Sequence, residues 1–341
     1  MPGPETVEAL EAELASPSPA LVSAMADLDG DLLVLGAGGK MGPSLCHLAA
    51  EAMRQAGLRH RVIAVARFSA PGLAQQLEAW GAQAIRADLL DDRALADLPD
   101  APAVVYMAGQ KFGTTGAEAL TWAMNAYLPG RVAERYAGSR IAVFSSGNVY
   151  PLVPLTSGGA TEDVQPAPVG EYAQSVLGRE RVFTHFSSLR GTAVSILRLN
   201  YAIDLRYGVL LDVAQAVWEG RPIDLRMGMA NVIWQGDANE VALRSLVLAA
   251  SPPAVWNLTG PETVSIRWLA GRFGELLGTE PHLVHQEAET ALLNNAGRCH
   301  QAFGYPRVTL GQMITWTAAW VKNGGPTHDK PTHFQEREGN F

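Results

Sequence analysis

From Asp31 to Asn200 the chain alternates short, unbroken apolar runs with stretches of helical spacing, and this alternation restricts the fold more than any other feature. Leu32-Leu33-Val34-Leu35 is followed by a helical pattern at 43–56, Val62-Ile63-Ala64-Val65 by one at 72–80, and Ala103-Val104-Val105-Tyr106 by one at 117–136. Ile141-Ala142-Val143-Phe144 leads to a helix around 172–187, and 193–199 supplies a further strand. A strand without polar alternation has both faces covered, and strands separated by helices run parallel. The expected fold class is α/β, a doubly wound parallel sheet.

The remaining segments arrange themselves around that sheet. Residues 1–30 read as an N-terminal helical extension, a short acidic helix at 5–14 broken from a second helical stretch by Ser16-Pro17-Ser18-Pro19. After Asn200 the pattern loosens into helices at 209–219, 238–250, 266–277 and 310–321 with short apolar runs at 232–234 and 255–258. The expected division is a dinucleotide-binding domain at 31–200, mainly a smaller C-terminal substrate-binding cap at 201–323, and a tail at 324–341. That tail, rich in Pro, Gly and charge, is expected to be disordered or to drape on a neighbour.

The first βα junction carries Gly36-Ala37-Gly38-Gly39-Lys40-Met41-Gly42, in which Gly36, Gly39 and Gly42 have the spacing GxxGxxG. Glycines there permit a tight turn and close backbone approach, and the helix that follows presents unpaired N–H groups to a pyrophosphate. Lys40 would add charge near the phosphates. At the end of the second strand, where a ribose-binding carboxylate would select NAD, the chain has Val65-Ala66-Arg67-Phe68; Arg67 suits a 2′-phosphate and so favours NADP over NAD, or else is a solvated charge. Asp88-Leu89 after the third strand either brackets the adenine or caps a turn.

A formal charge of −8 with no basic cluster argues against nucleic acid as partner. Two distant Cys without metal-ligand spacing, no signal peptide and no apolar run of about 18 residues lead to the expectation of a cytoplasmic protein with no membrane partner and no metal. Of 26 basic residues only four are Lys (40, 111, 322 and 330), a compositional drift that would turn a Lys into Arg but not into Val.

Together, the glycine loop, Asp88-Leu89, Tyr106-Met107-Ala108-Gly109, Asn125, Ser145-Ser146-Gly147-Asn148-Val149-Tyr150 and Tyr172 resemble the extended short-chain dehydrogenase/reductases, the NAD(P)-dependent epimerase/dehydratase family. Leu197-Arg198-Leu199-Asn200, Gly220-Arg221-Pro222-Ile223, Gly236-Asp237, Trp256-Asn257-Leu258-Thr259-Gly260 and Phe303-Gly304-Tyr305-Pro306 extend the resemblance from about Asp31 to Asn323. It implies a Rossmann domain whose cofactor is held by Gly36, Gly39, Met41, Gly42, Ala108, Gly109 and Tyr172. It also implies that Ser146 bonds the reacting oxygen, that Tyr172 exchanges its proton, and that two copies pair through the helices near Ala117 and Tyr172.

One departure matters: Val176 stands where the family has the Lys of Tyr-x-x-x-Lys. In the family that Lys lowers the Tyr pKa and bonds the nicotinamide ribose. An unassisted Tyr titrates near ~10, so only about one in 10³ is ionised at neutral pH, roughly 4 kcal/mol against base catalysis. Three readings stay open: another cation substitutes, with Lys111 the candidate; Tyr172 acts as a neutral donor; or the protein is a non-catalytic nucleotide sensor or scaffold. The Arg that holds a nucleotide-sugar diphosphate in the family is matched here by Ala230. Asn148, Asn200, Tyr201 and Arg206 are candidate substrate contacts, and the expected substrate is a free sugar, a sugar acid or another small polyol or ketone. The expected activity is a NAD(P)-dependent epimerase, dehydratase or reductase.

Overall fold

The structure, a computed structural model, describes residues 3–111, 113–114, 116–330 and 332–339. Its centre is a seven-stranded parallel sheet built from β1 (Leu32–Leu35), β2 (Val62–Ala66), β3 (Ala82–Arg86), β4 (Ala103–Tyr106), β5 (Arg140–Ser146), β6 (Val194–Leu199) and β7 (Ala254–Leu258). The strand order is β7-β6-β5-β4-β1-β2-β3. β1 and β4 lie side by side with Leu35 opposite Tyr106, and the chain winds outward in opposite directions from this pair. A crevice therefore opens at their carboxyl ends, the place where open α/β sheets hold ligands.

The apolar runs are fully buried because the sheet is covered on both sides. One face packs on a cluster that includes Val34, Leu45 and Leu48, the other on one that includes Leu33, Val132 and Phe183. β3 sits at the sheet edge and is half exposed, which is why Ala82-Gln83-Ala84-Ile85-Arg86 lacks the unbroken apolar character of its neighbours. On one side lies α3 (Gly42–Gln55); on the other, α7 (Leu128–Arg135) packs on α8 (Gly170–Arg190). The expected helix at 117–136 is interrupted. Residues Ala123–Tyr127 form a π-helical turn between a short helix at Glu118–Trp122 and α7, and the turn widens around the buried Asn125. Such bulges are frequently found at functional sites.

Two N-terminal helices, α1 (Val7–Leu14) and α2 (Pro19–Ala26), are capped by Thr6 and Ser18 and buried along one side. Leu10 and Leu14 join the core of the cap, while Leu21 and Met25 join the core under the sheet. The cap core gathers around α9 (Val209–Trp218), α11 (Ile266–Leu277) and α13 (Leu310–Lys322). Past Gly324 the chain turns back over its own cap. Thr332 bonds Asp212 on α9, Phe334 is buried in the cap core, and Arg337 bonds the Thr290 carbonyl at 2.7 Å. The described part of the tail is thus held against its own cap.

Candidate functional site

Two cavities share Gly36, Gly39, Met107 and Gly109 in the crevice between β1 and β4. The first, of about 210 Å³, runs along the ends of β2 and β3 and is lined by Arg67, Asp88, Leu89 and Ala108. The backbone explains the glycines. Gly36 has φ +96°, and a Cβ there would come within 2.5 Å of the Ala108 nitrogen; a Cβ on Gly42 would lie 2.3 Å from the Ala37 carbonyl. Gly39 by contrast would carry a Cβ at ordinary contact distance, 3.5 Å from the Gly36 carbonyl oxygen, and leaves bare backbone on the cavity wall. α3 starts beside it with no side-chain cap, so its first N–H groups are free to meet an anion. The residues fit a dinucleotide. Arg67 is exposed at the cavity rim, and Asp88 takes the Leu90 N–H at 3.0 Å in a turn while facing the same space.

The second cavity, of about 310 Å³, lies between the ends of β4 and β5 and the cap. Ser146 ends β5, and its hydroxyl lies near enough to the Tyr172 phenol on α8 to lower its pKa. The Asn148 N–H and side chain also meet the Ser146 hydroxyl, at 3.2 and 3.3 Å, so Asn148 both closes the turn and lines the cavity. Burial pushes the Tyr172 phenol above its ordinary range, opposed by the charge of Arg179 and by the Ser146 hydroxyl. Val176, one turn along α8, is 1% exposed and packs with Val149, Tyr150 and Leu293. It belongs to an apolar cluster beneath the site.

Arg179 is the residue that the sequence reading missed. Two turns after Tyr172 on the same helix, it lines the same cavity while 5% exposed. Its Nη1 donates to the Phe144 carbonyl at 2.6 Å and its Nη2 to the Asn125 Oδ1 at 2.8 Å. Asn125 in turn exchanges two hydrogen bonds with the Gln110 backbone and donates to the Ser175 hydroxyl at 3.0 Å. Gly109 makes the arrangement possible, since a Cβ there would meet Arg179 Nη2 at 2.4 Å. Below, Glu180 joins Ser145 to Arg198, and Arg198 reaches the Tyr150 hydroxyl, so α8 is bolted to β5 and β6.

The other expected residues divide. Asn200, Tyr201, Met41 and Lys111 all line this cavity. Tyr201 has φ +45°, uncommon for a bulky side chain, and its ring stands against the cap. The Lys111 ammonium is 5.9 Å from the centre of the Tyr172 ring. Lys40, expected near the phosphates, turns the other way: its Nζ donates to the Ala202 carbonyl at 2.8 Å and lies 4.0 Å over the Tyr207 ring. Burial lowers both ammonium groups to about 8. Arg206, expected at the substrate, is not brought to this cavity. It pairs with Glu11 of α1 at 2.5 Å and Asp204 at 3.0 Å, and lines a separate space under the returning C-terminal segment. Among the described residues no cluster of His, Cys, Asp and Glu could hold a metal, and no helix is long and apolar enough to cross a membrane.

Comparison with known proteins agrees with this geometry. No curated protein sequence matches the chain. Solved structures that match include a short-chain dehydrogenase/reductase superfamily protein from Agrobacterium tumefaciens with bound NAD, 19% identical, with TM-score 0.70 over 86% of this chain and 97% of that one. A UDP-glucuronic acid 4-epimerase from Bacillus cereus in complex with NAD matches at 18% identity, TM-score 0.70, over 86% of this chain and 99% of that one. A dTDP-glucose 4,6-dehydratase from Bacillus anthracis in complex with NAD matches at 16% identity, TM-score 0.70, over 86% of this chain and 96% of that one. The family model for the NAD dependent epimerase/dehydratase family covers residues 32–202, from β1 through the second glycine-lined cavity. The chain belongs to the NAD dependent epimerase/dehydratase family.

Proposed function

We propose that the protein is an active NAD(P)-dependent epimerase, dehydratase or reductase of a sugar or related polyol or ketone, in which Arg179 takes over the electrostatic duty of the missing lysine. The observation that carries this reading is that Ser146 and Tyr172 line the glycine-bordered crevice together, with the buried guanidinium of Arg179 beside them. The two hydrogen-bond acceptors of Arg179, the Phe144 carbonyl and the Asn125 amide oxygen, are neutral. A buried cation without a carboxylate costs several kcal/mol, an expense the fold would shed unless the charge were used.

When bound, the nicotinamide supplies or accepts a hydride. Around it, the chain's own groups handle the proton and the charge. Ser146 and Tyr172 would both donate to the reacting oxygen, which fixes its position and stabilises negative charge as it develops there. Tyr172, kept neutral by burial, is suited to giving its proton to a carbonyl, and Arg179 supports the phenolate that remains. Because a guanidinium stays charged, Arg179 can stabilise but not relay that proton. The reading therefore favours carbonyl reduction over alcohol oxidation at neutral pH. Arg67 at the adenosine end favours NADP over NAD. The exposed Trp122 and Tyr127 beside α8 support pairing of two copies there.

The test is Tyr172→Phe, followed by nicotinamide absorbance against a panel of sugar ketones and aldehydes. Turnover should fall about 10²- to 10⁴-fold with dinucleotide binding intact. A Tyr172→Phe enzyme as fast as wild type would remove the assigned mechanism, and wild type that binds dinucleotide yet reduces no carbonyl would favour a sensor.

A further inference from the structure

Three cationic side chains, Lys40, Lys111 and Arg179, line the cavity at the reacting end, and among its described lining residues there is no Asp or Glu. The chain has only four Lys, and two of them meet here from different elements, one from the glycine loop and one from the segment after β4. Asp204, the carboxylate that acts most on Lys40, is paired with Arg206 at 3.0 Å, and Asp212, which acts on both ammonium groups, lines the neighbouring space and takes the Thr332 N–H and hydroxyl at 2.9 and 2.5 Å.

The glycine-rich wall borders both cavities, and the open start of α3 at Met41 borders the one at the reacting end. The two Lys side chains line only that reacting end, and the cavity beneath β2 and β3 includes neither. Lys40 points instead to Ala202 and Tyr207 of the cap, and one of its three N–H groups is spent on Ala202. Lys111 stands over the Tyr172 ring, beside the reacting atoms.

We infer that Lys40 and Lys111 form the seat of a small oxyanion, a carboxylate or phosphate carried by the substrate's sugar unit, next to the carbon that reacts at Tyr172. This deepens the reading of the site given above and rests on it. Both half-buried ammonium groups already lose part of their solvation, so an anion at this end of the cavity would meet donors that are partly desolvated, where a charged hydrogen bond is stronger than in water. The cap aromatics Tyr201 and Tyr207 would then close over a sugar whose charge is anchored at one end. The seat is distinct from the cap arginine position that would hold a nucleotide diphosphate, where this chain has Ala230.

The experiment is a binding measurement, independent of turnover. The full-length protein, saturated with NADP or NAD, is titrated calorimetrically with D-glucose, D-glucuronate and glucose 6-phosphate. At least one of the two anions should bind on the order of ten-fold or more tightly than glucose. Which one binds identifies carboxylate or phosphate as the anion. Lys111→Gln and Lys40→Gln should each erase most of that preference while changing dinucleotide affinity less than about two-fold. Equal binding of all three sugars, saturable binding by none, or a preference retained in both variants would overturn the inference. So would variants whose dinucleotide affinity falls instead, since the lysines would then serve the cofactor's phosphates. A Tyr172→Phe enzyme that turns over as fast as wild type would strike the mechanism and leave this binding result standing on its own.

Discussion

Arg179 donates from Nη2 to the Oδ1 of Asn125 at 2.8 Å, and this bond joins α8 to the π-helical turn and, through Asn125, to the segment after β4. The charge is fixed by three elements at once. Replacing it with Arg179→Met should therefore lower turnover by roughly 10²- to 10³-fold, as loss of an aimed donor does, with dinucleotide still bound. The sign of its pH effect follows from the charge. A nearby cation favours phenolate, so its removal raises the Tyr172 pKa and shifts the alkaline limb of the pH–rate profile upward. Arg179→Lys, which keeps the charge, should recover part of the rate and return the limb towards wild type. An unshifted limb in Arg179→Met would confine Arg179 to holding the helices together.

The two loop glycines should separate folding from cofactor binding. At Gly36 a side chain meets positive φ and the Ala108 backbone at 2.5 Å, so Gly36→Ala is expected to destabilise by roughly 1–3 kcal/mol or more and to lower the melting temperature by several degrees. Gly39→Ala, whose Cβ would meet only the Gly36 carbonyl oxygen at an ordinary 3.5 Å, should melt as wild type does yet bind dinucleotide more weakly. Thermal melts and fluorescence titration with the reduced dinucleotide read the two effects. Equal melting temperatures for both variants would contradict the steric account.

Arg67 sits exposed at the rim of the adenosine-side cavity with Asp88 across from it. If it receives a 2′-phosphate, Arg67→Asp should weaken NADPH by on the order of ten- to a hundred-fold and affect NADH little or favourably. Dissociation constants for both dinucleotides decide this. NADPH binding unaltered by the substitution would make Arg67 a solvated charge.

Much of this architecture was legible because burial on both faces forces unbroken apolar runs. β1, β2, β4 and β5 announce themselves in that way, and β3 does not because half of it is exposed at the sheet edge. The site was legible where chemistry follows a local spacing, as in the glycine loop and the Ser146 turn. Arg179 was not, because its placement depends on helix periodicity over two turns and on Gly109, which is far away in sequence and leaves room for the guanidinium. Nor does sequence alone reveal that Arg206 is spent on Glu11, a pairing created by α1 folding onto the cap. The π-helical turn escaped because Asn125 looks like any polar residue in a helix until its partners at Gln110, Ser175 and Arg179 are known.

The two cavity lysines make a prediction about stability. An unfolded Lys titrates near 10.5, whereas Lys40 and Lys111 titrate at about 8 in the fold, chiefly because burial disfavours their charge. Between those values the unfolded chain binds more protons than the folded one, so these groups make stability rise with pH across the window. The gain is at most about 1.4 kcal/mol per pH unit for each Lys. Above about pH 10 the buried phenols of Tyr201 and Tyr207 act oppositely, since burial raises their folded pKa and the folded state holds protons that the unfolded state has released. Denaturant melts of the dinucleotide-free protein from pH 8 to 9.5 isolate the lysine effect. Wild type should gain more over that range than Lys40→Met/Lys111→Met, and the two lines should converge towards high pH as the ammonium groups lose their charge. Parallel lines would show that neither ammonium is held at a penalty, and the cavity would then have no stored demand for an anion.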